Sequence, residues 1–84
     1  MSLYALQKLL RDVNRNPQAR EAYFTAPEAF AENYELSQAE RQALLTLDIT
    51  TLYRFGVHGL ILRPFTLLHK MPENEYLERI RRES

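Results

Sequence analysis

Between Leu36 and Leu68 the chain reads LSQAERQALLTLDITTLYRFGVHGLILRPFTLL. This stretch holds two helix starts, a glycine stop, and then a segment that is apolar on almost every side. Ser37-Gln-Ala-Glu40 is a capping box: the serine hydroxyl meets an early backbone N–H, and the glutamate reaches back to the N–H of the cap residue. The helix it opens carries Ala43, Leu44 and Leu47. Asp48 caps the next helix, with Leu52 and Phe55 inward, and Gly56 stops it. A helix of a small globular protein needs a wet face, and from Val57 to Leu68 only His58, Arg63 and Thr66 offer one. The segment is therefore either the centre of a very small fold or a face made for another protein.

The remaining punctuation is also helical. Ser2 caps a first helix that places Leu3, Leu6, Leu10 and Val13 on one face, at spacings of three and four. Asn16-Pro17 ends it and opens a second, with Pro17 as the first helical residue. That helix carries Ala19, Ala22 and Tyr23. Thr25-Ala-Pro-Glu28 reads as another capping box, beginning a brief helix with Phe30 and Ala31 inward. Pro64 lacks the N–H that the carbonyl of Leu60 would accept, so the apolar helix is expected to kink there, or to stop and restart. Met71-Pro72 opens the last helix, whose stripe is Tyr76, Leu77 and Ile80. Glu73 and Glu75 in its first turn, and Arg79, Arg81 and Arg82 near its end, suit the helix dipole. No alternating strand pattern or hairpin dipeptide is present. The expected architecture is all-α: one compact domain over residues 1–84, of about five or six short helices.

Composition narrows the function. Lysine plus arginine number 11 and aspartate plus glutamate 11, so the net charge is zero. A nucleic-acid binder shows a basic excess, and a balanced chain associates easily with a protein partner. There is no cysteine, so neither disulfides nor thiolate metal sites staple the fold. The start of the chain has no signal-peptide pattern, and the run at 57–68 is too short for a membrane span. A cytoplasmic protein with no nucleic-acid or membrane partner is expected.

Candidate sites are few. His58 and His69 are eleven residues apart, roughly 16 Å along a helix, and no third ligand stands at a metal-site spacing. The plain reading of His58 is a helix-start residue bonding a backbone carbonyl. Ser37 is explained as a cap, and Glu28, Glu32, Glu35 and Glu40 as solvated carboxylates, so no catalytic residue is assigned. The two helices at 38–46 and 49–56 have the outline of a helix-turn-helix, but the second offers one basic residue, too few for phosphate contacts. Tyr23 and Phe24 are adjacent and cannot both face one core. Surplus apolar surface of this kind marks an interface, and the chain is expected to self-associate when isolated. Arg63 within the apolar run is either a partner for a carboxylate or a snorkelling residue at the edge of the patch.

The pattern Leu36-Ser37-x-x-Glu40-x-x-Ala43-x-Leu45-x-x-Asp48, then Leu52 and Gly56, resembles the small (alpha) subunit of the protocatechuate 4,5-dioxygenases, the LigA-like family. Tyr4-x-Leu6 resembles the head of that family's first helix. The stretch Asn16–Phe24, with Arg20 and then an aromatic, resembles its second, and Lys70-Met71-Pro72-Glu73-x-Glu75-Tyr76 the start of its closing helix. The resemblance covers roughly Tyr4 to Ile80. It implies an all-helical, non-catalytic subunit that docks on and caps a larger catalytic subunit. That partner would hold Fe(II) and open catechol-type aromatic rings beside the diol, with no cofactor in this chain. On this reading His58, Leu60, Ile61, Arg63 and Phe65 are the expected partner or substrate-pocket contacts. Relative to the family's larger members, the resemblance implies that an N-terminal extension is missing and that the stretch between the apolar helix and the last helix is shorter. Its apolar helix is also more apolar and carries a proline. The alternative is a stand-alone helical module that binds a protein or peptide, as in substrate recognition by peptide-modifying systems.

Overall fold

The structure, a computed structural model, describes residues 2–81. These form seven helices and no strand: α1 (Ser2–Arg15), α2 (Pro17–Thr25), α3 (Pro27–Ala31), α4 (Gln38–Leu45), α5 (Ile49–Arg54), α6 (Gly59–Leu68) and α7 (Glu73–Arg81). Pro17 and Pro27 each stand at the start of a helix, where a missing N–H costs nothing; Pro17 separates α2 from α1, and Pro27 separates α3 from α2.

The core is organised on α1. Leu6, Leu9, Leu10 and Val13 are all fully buried, and their spacing gives one continuous helix face. Facing them, α6 contributes Leu62, Phe65 and Thr66, again at spacings of three and four. Two side chains stitch α1 to α6. Asn14 Nδ2 donates to the Ile61 carbonyl at 3.0 Å, and Gln7 Oε1 accepts from the His58 backbone N–H at 3.0 Å. Arg20 fastens α2 to the end of α1: its Nε and Nη2 donate to the carbonyls of Val13 and Asn14, which have no partner within their own helix. At the other side, Thr50 Oγ1 donates to the Arg79 carbonyl and ties α5 to α7.

Three consecutive helices end in the same way. After α4, the N–H of Asp48 bonds the Ala43 carbonyl and that of Leu47 bonds Leu44. After α5, Val57 bonds Leu52 and Gly56 bonds Tyr53; after α6, Met71 bonds Thr66 and Lys70 bonds Leu67. This is the Schellman pairing, which needs one residue in a left-handed conformation. The three such residues are Leu47 (φ 53°), Gly56 (φ 103°) and Lys70 (φ 60°). Only the middle one is the glycine that the conformation favours.

The capping box at Ser37 and Glu40 forms on both sides, at 3.1 Å and 2.9 Å. It also buries Glu40, which the sequence placed in solvent: reaching back to the N–H of Ser37 folds the carboxylate against the helix. Asp48 caps α5, and its hydrogen bonds from Thr51, side chain first and backbone second, hold its carboxyl below the usual range. The box expected at Thr25 does not form. Thr25 is the last residue of α2, the cap residue of α3 is Ala26 with no side-chain bond, and Pro27 alone sets the start. The expected Ser2 cap and the contribution of Arg82 lie outside the described side chains.

Pro64 neither stops nor restarts α6, which runs unbroken from Gly59 to Leu68. The carbonyl that loses its donor belongs to Leu60, a residue on the exposed side where water can serve it. The wet face of α6 also differs from expectation. Thr66 is fully buried, because its hydroxyl donates to the Arg63 carbonyl and accepts from Arg63 Nη1. What faces outward instead is Leu60, Pro64 and Leu67.

Candidate functional site

Helix α6 begins with His58 in an extended conformation, its Nδ1 accepting the Leu60 N–H at 3.0 Å. The expected role at a helix start holds, but the ring accepts from an amide rather than donating to a carbonyl. The first turn of a helix has spare N–H groups and no spare carbonyls, which settles the direction.

The outward residues of α6 then follow at spacings of four and three. Leu60 is 81% exposed and Leu67 55%, with Pro64 exposed between them. They form a single apolar stripe along the solvent side of a helix whose other side is core. Ile61 lies half-buried at its flank, with its carbonyl held by Asn14. Phe65 is fully buried, 5.5 Å from the Tyr23 ring and 4.9 Å from the His69 ring. It does not reach the surface of this chain: it occupies the position three after Leu62, on the core side of α6, and supports the helix from beneath.

Arg63 is half-buried and held at one end. Its Nη1 donates to Thr66 Oγ1 at 3.1 Å and to the Met71 carbonyl at 3.3 Å, and the guanidinium lies 4.9 Å from the Tyr76 ring centroid. The arrangement clips the end of α6 to α7. It is a more definite placement than a side chain snorkelling at the edge of the patch.

At the C-terminal end of α6, His69 sits among Tyr23, Phe24 and Phe65, with Tyr23 Oη 3.0 Å from its Nε2. Burial among these rings holds the imidazole below its ordinary pKa and pushes the Tyr23 phenol up to about 12. Tyr23 is buried and the adjacent Phe24 is 46% exposed, as their adjacency requires. His58 and His69 stand at opposite ends of α6, each with its own partner. Among the described residues no group of three His, Asp or Glu side chains is placed to hold a metal ion. An open groove of about 620 Å³ runs between α3 and α4, lined by Glu28, Leu36, Gln38, Arg41, Gln42, Leu45 and Thr46. It carries one carboxylate and one guanidinium and no pairing of a nucleophile with a base. No helix among the described residues is long and apolar enough to cross a membrane.

The candidate residues thus separate. His58, Leu60 and Ile61 lie along the outer side of α6, Arg63 at its seam with α7, and Phe65 within the core. Leu67, which sequence reasoning did not single out, completes the stripe; its spacing of seven from Leu60 was the available signal. Arg20 was noted only for its resemblance, and the structure gives it the physical task of satisfying the end of α1.

The family described as the LigA subunit of the aromatic-ring-opening dioxygenase LigAB matches residues 6–80. No curated protein and no solved structure gives a match. The matched span runs from the first core leucine of α1 to Ile80 of α7 and so takes in nearly all of the described fold. The chain belongs to the LigA family of aromatic-ring-opening dioxygenase subunits.

Proposed function

We propose that this chain is a non-catalytic small subunit that docks on a larger, Fe(II)-bearing extradiol dioxygenase subunit and caps it. The observation that carries the reading is the outer stripe of α6. Burying an exposed leucine is worth about 1.5–3 kcal/mol, so a partner that covers Leu60 and Leu67 gains most from these two positions. His58, Leu60, Ile61 and Leu67 form the contact in this reading. Phe65 acts from beneath by fixing the phase of the helix, and Arg63 by fixing its end against α7. Family membership supplies the kind of partner, and the zero net charge is compatible with close apolar contact. The ring-opening chemistry belongs to the larger subunit; this chain contributes a wall and excludes water.

The test is co-expression with a large extradiol dioxygenase subunit from the same organism, followed by size-exclusion chromatography and ring-cleavage assays. The expected result is one complex, lost when Leu60→Glu is introduced while the fold of the isolated chain is unchanged. Two separate peaks, with full activity in the larger protein alone, would sink the proposal and leave the stand-alone binding module as the better reading.

A further inference from the structure

We infer that Arg63 is a preorganised seat for a carboxylate, offered at the seam between α6 and α7. An arginine head carries five N–H groups in a planar fork. Two of them, both on Nη1, go to Thr66 Oγ1 and the Met71 carbonyl. Those acceptors, together with the Tyr76 ring beneath, fix the plane of the group. The remaining donors lie on Nε and Nη2, and no acceptor among the described residues meets them. Nor are they sealed in: the buried side-chain polar atoms without a partner are Asn14 Oδ1 and Arg79 Nε, not those of Arg63.

The unused pair has a definite shape. Nε–H and the outer N–H of Nη2 point the same way and match the two oxygens of a carboxylate. Arg20 provides the contrast, since its Nε and Nη2 are already spent on the carbonyls of Val13 and Asn14. Arg79 also differs, with Nη2 on Glu75 at 3.0 Å. Arg63 is held in place by the end that a ligand does not need and leaves free the edge that a carboxylate prefers. It has no carboxylate partner among the described residues. A guanidinium so placed forfeits little side-chain entropy on binding, because its rotamer is already fixed.

The surroundings narrow the ligand. Leu60 and Leu67 stand three residues before and four after Arg63, on the same side of the helix, and both are exposed. The seat therefore suits a carboxylate carried on an apolar body. An aromatic carboxylic acid has that chemistry, and so does an aspartate or glutamate rimmed by apolar residues on the partner subunit. Only the second source rests on the docking reading; the seat itself stands on the geometry of this chain.

The experiment is an NMR titration of the full chain, reading the Nε–Hε signals of its arginines. Sodium acetate and sodium benzoate are compared with sodium chloride at matched ionic strength. The expected result is a saturable shift of the Arg63 signal with the carboxylates, at concentrations where the exposed Arg11 and Arg15 respond as they do to chloride. Arg63→Lys, which keeps the charge and loses the fork, abolishes the carboxylate-specific shift of the nearby Thr66 and Met71 amides. Tighter binding of benzoate than of acetate supports the seat with a small aromatic acid as its occupant. Equal binding supports it with a side-chain carboxylate as occupant. Equal responses to chloride and carboxylate, or equal responses of Arg63 and the exposed arginines, overturn the inference. Because the chain is titrated alone, failure to form a complex with a larger subunit leaves the result readable.

Discussion

Replacing Lys70 by glycine should make this protein more stable, although it removes a charge and adds no contact. Lys70 is the left-handed residue of the turn that ends α6, at φ 60°. An L-residue with a side chain is disfavoured there by about 1–2 kcal/mol. Glycine removes that penalty but brings a more flexible unfolded chain, which costs about 0.5–1 kcal/mol. The lysine is exposed and its side chain makes no hydrogen bond or ion pair among the described residues, so little else is lost. The net gain is about 0.5–1 kcal/mol, a rise in Tm of roughly 2–8 °C for a domain of this size.

Two companion variants sharpen the test. Lys70→Ala removes the same charge and keeps the Cβ, so it should show no gain. Gly56→Ala places a Cβ at φ 103° in the matching turn after α5 and should lose about 1–2 kcal/mol. That loss comes from the backbone and not from crowding, since the new Cβ would sit 3.4 Å from Leu3 Cδ2, an ordinary contact. Urea denaturation followed by circular dichroism measures all three. If Lys70→Gly is no more stable than Lys70→Ala, the left-handed turn is not a site of strain and the reasoning fails.

Three other outcomes follow from the same structure. Phe65→Ala removes a fully buried ring from the contact between α1 and α6, and should cost about 3–5 kcal/mol by urea denaturation. Leu60→Glu, on the opposite side of the same helix, should shift stability by no more than about 0.5 kcal/mol, because the side chain is already 81% exposed. His69 gives a pH dependence of known sign. Its folded pKa is lowered from 6.5, so below that pH the unfolded chain binds a proton that the folded one resists. Stability should be fully present above pH 6.5 and fall as pH drops through the window below it, and His69→Phe should remove that part of the slope. A slope unchanged in the variant refutes the assignment.

Most of the helical framework was legible because its starts are written in side chains. Ser37 with Glu40, Asn16 before Pro17, and Asp48 each place an oxygen where spare N–H groups must be met, and all three act as caps. The Thr25 box was misread because the same four letters also fit a helix ending at Thr25, with Pro27 opening the next. Helix ends were harder. Gly56 announced one, whereas Leu47 and Lys70 adopt the same conformation without the residue that signals it, so their turns are held by context and not by local preference. Pro64 offered a kink or a break, and α6 runs unbroken through it, with the orphaned carbonyl on the exposed Leu60.

The candidate site was legible only as a segment. Apolar composition on every side of α6 left two readings open, the centre of a small fold or a face made for another protein, and it did not give the phase. The phase was set from outside the segment, by the α1 face of Leu6, Leu9, Leu10 and Val13 and by Gln7 and Asn14 holding the start and the first turn. With that phase fixed, Phe65 and Thr66 turn inward, and Leu60, Pro64 and Leu67 turn outward together. A threonine can be buried at no cost when its hydroxyl bonds the carbonyl of Arg63 and receives the guanidinium in turn. That exchange places a polar residue in the core and leaves leucines outside, the reverse of what hydrophobicity alone dictates. Exchanging Leu60, 81% exposed, for a polar residue would cost the fold little. On the proposed reading, Leu60 and Leu67 stand on the wet side because a partner covers them.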